Sequence, residues 1–265
     1  LYNGRFKLLK KAYKRSNIRE REEFKKLKDE NQYWLNDYAM FMAIKERFKG
    51  QSFDNWAEDI KLRWGYSMEY YQNELKEEIE FYEFVQYEFY RQWYKLKKYA
   101  NDNGVKIIGD IPIYVAYDSA DVWSHPELFQ IDDKGKTISV AGCPPDGFSA
   151  TGQLWGNPLY KWDYHKQTNY DWWIKRIERS VQLYDVVRID HFRGFDEYYS
   201  IPAKDKDATG GHWEKGPGID LFNGIKYCLG DINIIAEDLG YITDTVRQLV
   251  KDSGFPNMKV LEFAF

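Results

Sequence analysis

The sequence is short of the residues that build several common kinds of protein. It has two cysteines in 265 residues, Cys143 and Cys228, too few for a disulfide framework, so a reduced, cytoplasmic setting is expected. Neither cysteine stands at a metal-ligand spacing, and the four histidines are scattered, which argues against a structural zinc site. No cluster of oxygen ligands resembles a calcium loop. No apolar run is long enough to cross a bilayer. A formal net charge of −4 offers no general attraction to nucleic acid or to an anionic membrane. No Gly-x-Gly-x-x-Gly fingerprint follows a strand-like run, which weakens a nucleotide-binding reading. The sequence opens at Leu1 with neither an initiator methionine nor a signal peptide. Its last run, Val260 to Phe265, reads as a buried strand, so part of a longer chain is expected.

Aromatic side chains are abundant at 18%, with 10 Trp and 22 Tyr. Such rings stack on the flat faces of sugars, and they are also ordinary core material. Composition leaves both explanations standing.

The patterning changes along the chain. Residues 1 to about 72 look helical and polar, with Tyr33, Trp34, Tyr38, Phe41 and Met42 at helical spacing. The first 30 residues lean basic, but Glu20, Glu22 and Glu23 are mixed in, so they read as a solvated helix face and not as a nucleic-acid arm. Residues 75 to 100 carry one apolar stripe, from Leu75, Ile79, Tyr82, Val85 and Phe89 to Trp93, Leu96 and Ala100, and Asn103-Gly104 should stop that helix. Short apolar runs follow. Val105–Ile108 leads into Gly109-Asp110, Val186-Val187 into Arg188-Ile189-Asp190, Ile232–Ala236 into Glu237-Asp238, and Lys259–Phe265 is a fourth. Strand, loop, helix, strand is the βα signature of a parallel sheet. One long irregular stretch, Tyr117 to Trp162, interrupts it, and loops of that length are usually functional.

Asp110, Asp190, Glu237 and Asp238 all follow strand-like runs. In a (β/α)8 barrel that edge carries the chemistry. Paired carboxylates are what glycoside chemistry needs, one to protonate the leaving oxygen and one to attack or to activate water. Arg188 and Asp190 share a side of their strand, so the cation can keep the acid ionised. Burial would raise Glu237 towards the value a general acid needs.

The motif Arg188-Ile189-Asp190-His191-Phe192-Arg193-Gly194-Phe195 resembles the nucleophile motif of the amylomaltases, the 4-α-glucanotransferases of glycoside hydrolase family 77. Ile235-Ala236-Glu237-Asp238-Leu239-Gly240 resembles that family's acid/base motif. Ile108 to Ala116 and Asp118 to Trp123 are similar to the region around its third barrel strand. Pro144-Pro145-Asp146 through Gly152-Gln153-Leu154-Trp155-Gly156-Asn157-Pro158 is similar to its mobile active-site loop.

The resemblance implies an α/β fold: a partial (β/α)8 barrel over residues 73–265, including an active-site loop at about 141–158, with a helical insertion subdomain at 1–72. It implies Asp190 as nucleophile and Glu237 as acid/base. Arg188 and His191 would orient Asp190, and Trp155 and Phe148 would line the glucan path. Asp110, Asp146, Gln153, Asn157 and Asp238 would add substrate contacts. The implied substrates are malto-oligosaccharides or starch- and glycogen-type glucans, with no cofactor, metal or obligate protein partner. A Gly-Thr-His-Asp-Asn motif that carries the family's third carboxylate is absent, so weak activity or none is expected of this chain. Hydrolysis by the same acids, or sugar binding without turnover, are the alternatives, and product analysis separates them.

Overall fold

The computed structural model of the chain describes residues 2–261. Its contacts divide into two units: residues 1–96 with 118–125, and residues 97–117 with 126–265. The sequence pattern places a boundary near residue 72, whereas the division falls inside a continuous helix.

The first unit is helical. It contains α1 (Tyr2–Arg15), α2 (Glu22–Arg47), α3 (Glu58–Lys61), α4 (Gly65–Glu74), the first part of α5 (Lys76–Asp102) and α6 (Ala120–Ser124). α2 opens on Glu22 and Glu23 and closes on Lys45 and Arg47, charges that complement its dipole. Aromatic edges lock the helices together. Tyr13 of α1 meets Phe81 and Phe84 of α5 at 5.8 and 5.6 Å, and Phe24 of α2 meets Tyr87 at 5.7 Å. These contacts place the boundary inside α5. They bury Phe81, Tyr82, Phe84, Tyr87 and Tyr90, while Leu96 further along the expected stripe is 54% exposed. α5 ends at the Asn103-Gly104 stop, with Gly104 at φ +77. The 118–125 segment joins this unit through Asp118, which pairs with Lys45 and accepts from the Phe53 amide, and through Trp123, whose indole donates to the Ile60 carbonyl at 3.1 Å.

The second unit holds two sheets. Its elements are β1 (Ile108–Pro112), β2 (Ser139–Cys143), β3 (Gln153–Pro158), α7 (Trp162–Gln167), α8 (Asp171–Leu183), β4 (Val186–Asp190), β5 (Glu197–Pro202), β6 (His212–Lys215), α9 (Ile219–Leu229), β7 (Ile234–Ala236) and α10 (Asp244–Ser253). β1, β4 and β7 are parallel neighbours in that order. With α8, α9 and α10 between and after them, they form a βα repeat of the kind that builds (β/α)8 barrels. One face of the sheet, with Ile111, Val187, Ile189, Ile234 and Ala236, is buried, as are Trp173, Ile177, Leu221 and Phe222 of α8 and α9. Gly109 belongs to that face because a Cβ there would lie 2.0 Å from the Tyr184 ring. The other face carries Asp110 of β1 and, two residues apart on β4, Arg188 and Asp190.

The second sheet is antiparallel, in the order β3-β2-β5-β6. The sequence pattern misses it. The stretch from 117 to 162 is therefore not one irregular loop: it contains α6 and the β2–β3 hairpin. β5 is buried along its middle on both faces, so it shows no alternation of period two. The first expected strand also shifts. Val105 is 56% exposed and lies before β1, which starts at Ile108. Asp185 sets that start: its carboxylate accepts from the Ile107 amide at 2.8 Å while its own amide donates to the Ile107 carbonyl. Of the fourth expected strand, Lys259–Phe265, residues 262–265 lie outside the described residues. Asn257, just before it, bridges in parallel to Ala236. Among the described residues no helix is long and apolar enough to cross a membrane, and no group of three or more His, Cys, Asp or Glu converges as metal ligands would.

Candidate active site

Strand geometry makes the first contact. Arg188 and Asp190 point to the same side of β4, and the parallel register sets Asp110 of β1 opposite Arg188. The guanidinium bridges both acids, Nη1 to Asp110 Oδ1 and Nη2 to Asp190 Oδ1, each at 2.8 Å. Its Nε donates to the Met258 sulfur at 3.0 Å. The expected Arg188–Asp190 pairing is thus present. Asp110 differs from expectation: it lies in the middle of β1, level with Arg188, and not past the strand's end.

β4 ends in a sharp turn. His191 is left-handed, φ 55 and ψ 46, a conformation that costs a non-glycine residue about 1 kcal/mol. The turn aims the His191 amide at Glu237, which accepts it through Oε2 at 2.7 Å, while Oε1 accepts the Leu239 amide at 2.9 Å. The backbone follows the same path: the Glu237 amide donates to the Ile189 carbonyl, and the Phe192 amide donates to the Glu237 carbonyl. Glu237 is 8% exposed. Burial pushes its carboxyl above the usual range, and the two amides pull it partly back.

The His191 ring stands edge-on to Trp155, with centroids 5.0 Å apart, and 6.5 Å from Tyr114. Burial lowers its pKa to about 4; the Arg193 charge adds to the effect and Asp190 opposes it. The imidazole is neutral at pH 7.

Trp155 comes from β3 and is 37% exposed; its indole donates to the Gln153 side-chain oxygen at 2.9 Å. The hairpin tip is tied by Asp146, whose Oδ1 accepts the Phe148 and Ser149 amides at 2.8 and 2.7 Å. Phe148 itself is fully exposed. Asn157 donates to the Val115 carbonyl at 2.9 Å, holding β3 to the segment after β1. Asp238 accepts from the Asn257 side chain at 2.9 Å and from the Met258 amide at 3.2 Å, so it fixes the residue that meets Arg188 Nε.

Asp110, Arg188, Asp190, His191, Glu237, Trp155 and Gln153 therefore gather around the ends of β4 and β7 and the face of β3. Asp238 has both carboxylate oxygens committed to neighbours, while Asp146 through Oδ1 and Asn157 through its side-chain nitrogen each tie down nearby backbone. Sequence reasoning did not single out Tyr114, Met258 or Arg193. Tyr114 and Arg193 lie inside quoted motifs, but only packing shows that they face the site.

A parallel βα sheet with charged residues at and near its C-terminal edge, one of them a buried carboxylate, is the arrangement that (β/α)8 barrels place at their functional edge. The family model described as 4-alpha-glucanotransferase, glycoside hydrolase family 77, matches residues 1–265, and the chain belongs to that family. It is 50% identical over 266 residues to the 4-alpha-glucanotransferase of Clostridium butyricum, a match that takes in 100% of this chain and 55% of that protein. It is 49% identical to the Streptococcus pneumoniae 4-alpha-glucanotransferase, again over 100% of this chain and 53% of that one. The solved amylomaltase of Streptococcus agalactiae, in complex with acarbose, superposes with a TM-score of 0.94 at 46% identity, over 100% of this chain and 54% of the other. The fold is accordingly a part of a (β/α)8 barrel with a helical unit. The chain spans about half the length of the relatives it matches.

Proposed function

We propose that this chain carries the nucleophile and the acid/base of a retaining 4-α-glucanotransferase. Asp190, paired with Arg188, attacks the anomeric carbon of an α-1,4-glucan and forms a β-glucosyl ester. Glu237 gives its proton to the departing 4-oxygen, then takes the proton of the acceptor's 4-hydroxyl as that oxygen displaces Asp190. Two inversions give net retention. The observation that carries this reading is the join between the two acids: the amide that follows Asp190 donates directly to the Glu237 carboxylate.

In the same reading, Arg188 and His191 hold the sugar at the scissile bond, and Asp110 adds a contact through Arg188. Trp155, Gln153 and Phe148 line the glucan path. Asp146, Asn157 and Asp238 act through the segments they tie down. Malto-oligosaccharides or starch- and glycogen-type glucans are the substrates. The two free cysteines support a cytoplasmic location, which fractionation of the source cell would test.

The test is incubation with maltotriose, with products resolved by length. Glucose together with maltopentaose and longer chains supports transfer. Shorter products alone would refute it in favour of hydrolysis, and an unchanged substrate would refute turnover by this chain.

A further inference from the structure

We propose that Arg193 is a positioning residue for Glu237: it clamps the loop that carries the acid/base onto the turn that carries the nucleophile. The inference rests on the role given to Glu237 above.

Arg193 is 3% exposed and belongs to the 3-10 turn Phe192–Phe195 that follows β4. Its Nη1 donates to the Tyr241 carbonyl at 3.0 Å, in the segment after Glu237. Its guanidinium lies over the Trp213 ring of β6, 3.9 Å from the centroid, and Nη2 stands 4.0 Å from the Glu197 carboxylate of β5. One buried cation thus reaches the turn after β4, the loop after β7 and the second sheet.

Fold stability does not account for this placement well. Arg193 Nε and Nη2 make no hydrogen bond among the described residues, the Glu197 carboxylate standing too far from Nη2 for one, and a buried guanidinium short of hydrogen bonds is a poor stabiliser. Its one short directional bond goes to the loop beyond Glu237. Residues 237–243 have no helix or strand of their own, and Gly240 at φ +85 leaves the backbone free to turn. Near its start the loop is held by the His191 and Leu239 amides, which both donate to the Glu237 carboxylate. Further along it is held by Arg193, two residues after His191 in the same turn. With both ties made, the His191 amide and the Glu237 carboxylate move as one body. Lysine could keep the charge over Trp213 but lacks the planar fork that also reaches the Tyr241 carbonyl.

Amide hydrogen exchange on the full chain, comparing the parent with Arg193→Lys and Arg193→Ala, tests this without requiring turnover. The expected result for Arg193→Ala is exchange at the His191 and Leu239 amides faster by roughly tenfold or more, with the β2–β5 ladder and α8 unchanged. Arg193→Lys should fall between. Unchanged rates at those two amides would overturn the proposal. So would a uniform rise across the second unit, since that is what a general stabiliser would give. If Arg193→Ala does not fold, the lysine variant decides alone on the same two amides. Product analysis with maltotriose reports separately on the role of Glu237, so either idea can fail without the other.

Discussion

His165 gives the sharpest physical prediction. It is fully buried, with ring centroids of Tyr160 and Trp162 both at 5.3 Å and Trp172 at 6.0 Å. One ring nitrogen meets the Leu128 carbonyl at 3.2 Å, and Nδ1 has no partner among the described residues. A second proton would therefore be buried with nothing to accept it, and burial lowers the pKa from 6.5 to about 4. The unfolded chain binds this proton at higher pH than the folded one does. The stability His165 contributes is thus complete above pH 6.5 and is lost as pH falls towards 4. Linkage sets the loss at about 2 kcal/mol between pH 7 and pH 5, and about 3 kcal/mol in full below pH 4. The assay is urea unfolding followed by tryptophan fluorescence at both pH values, for the parent and for His165→Gln. Glutamine keeps a donor towards Leu128 and does not titrate, and its own packing loss cancels in the difference. The variant should lose about 2 kcal/mol less between pH 7 and 5. Equal losses would refute the reasoning, because they would mean that the imidazole gains its proton as readily folded as unfolded.

Arg188→Met should separate chemistry from stability. Its two carboxylate partners are 60% and 46% exposed, so solvent screening holds the lost ion pairs to about 1 kcal/mol in a urea titration, whereas the maltotriose transfer rate should fall by roughly a hundredfold or more. Comparable small losses in both would remove Arg188 from the site. Glu237→Gln should slow transfer from glucans by roughly 10²–10⁴-fold yet spare the first step with a glucosyl fluoride donor, whose leaving group needs no proton. Because burial raises the Glu237 carboxyl, the acid form should persist above the usual carboxylate range, and the alkaline limb of kcat/KM should lie correspondingly high; a limb at the ordinary value would count against the assignment. Trp155→Ala should raise the KM for maltotriose by roughly tenfold, or about 1.4 kcal/mol, with a smaller change in kcat. Gly109→Ala drives a methyl into the Tyr184 ring and should lower stability by about 1–3 kcal/mol in the same urea assay.

What the sequence determined by itself was local. The apolar spacing from Leu75 onwards and the Asn103-Gly104 stop specify α5, because helix periodicity and an αL-tolerant terminus are properties of neighbouring residues. The period of two along Val186–Asp190 places Arg188 and Asp190 on one side and thereby their ion pair. The apolar run before Glu237 implies burial of that carboxyl. Tertiary structure decided the rest, because it depends on partners far along the chain. β5 carries no alternation of its own and becomes a strand by pairing with β2 and β6. Asp110 stands level with Arg188 because Asp185 sets where the β1–β4 ladder begins. The second half of the α5 stripe is left accessible because the edges of α1 and α2 meet only the first. The bond between the His191 amide and Glu237, and the reach of Arg193 to Tyr241, join residues more than forty positions apart. No local pattern encodes such pairs; they exist only once the strands have packed and closed the distance between them.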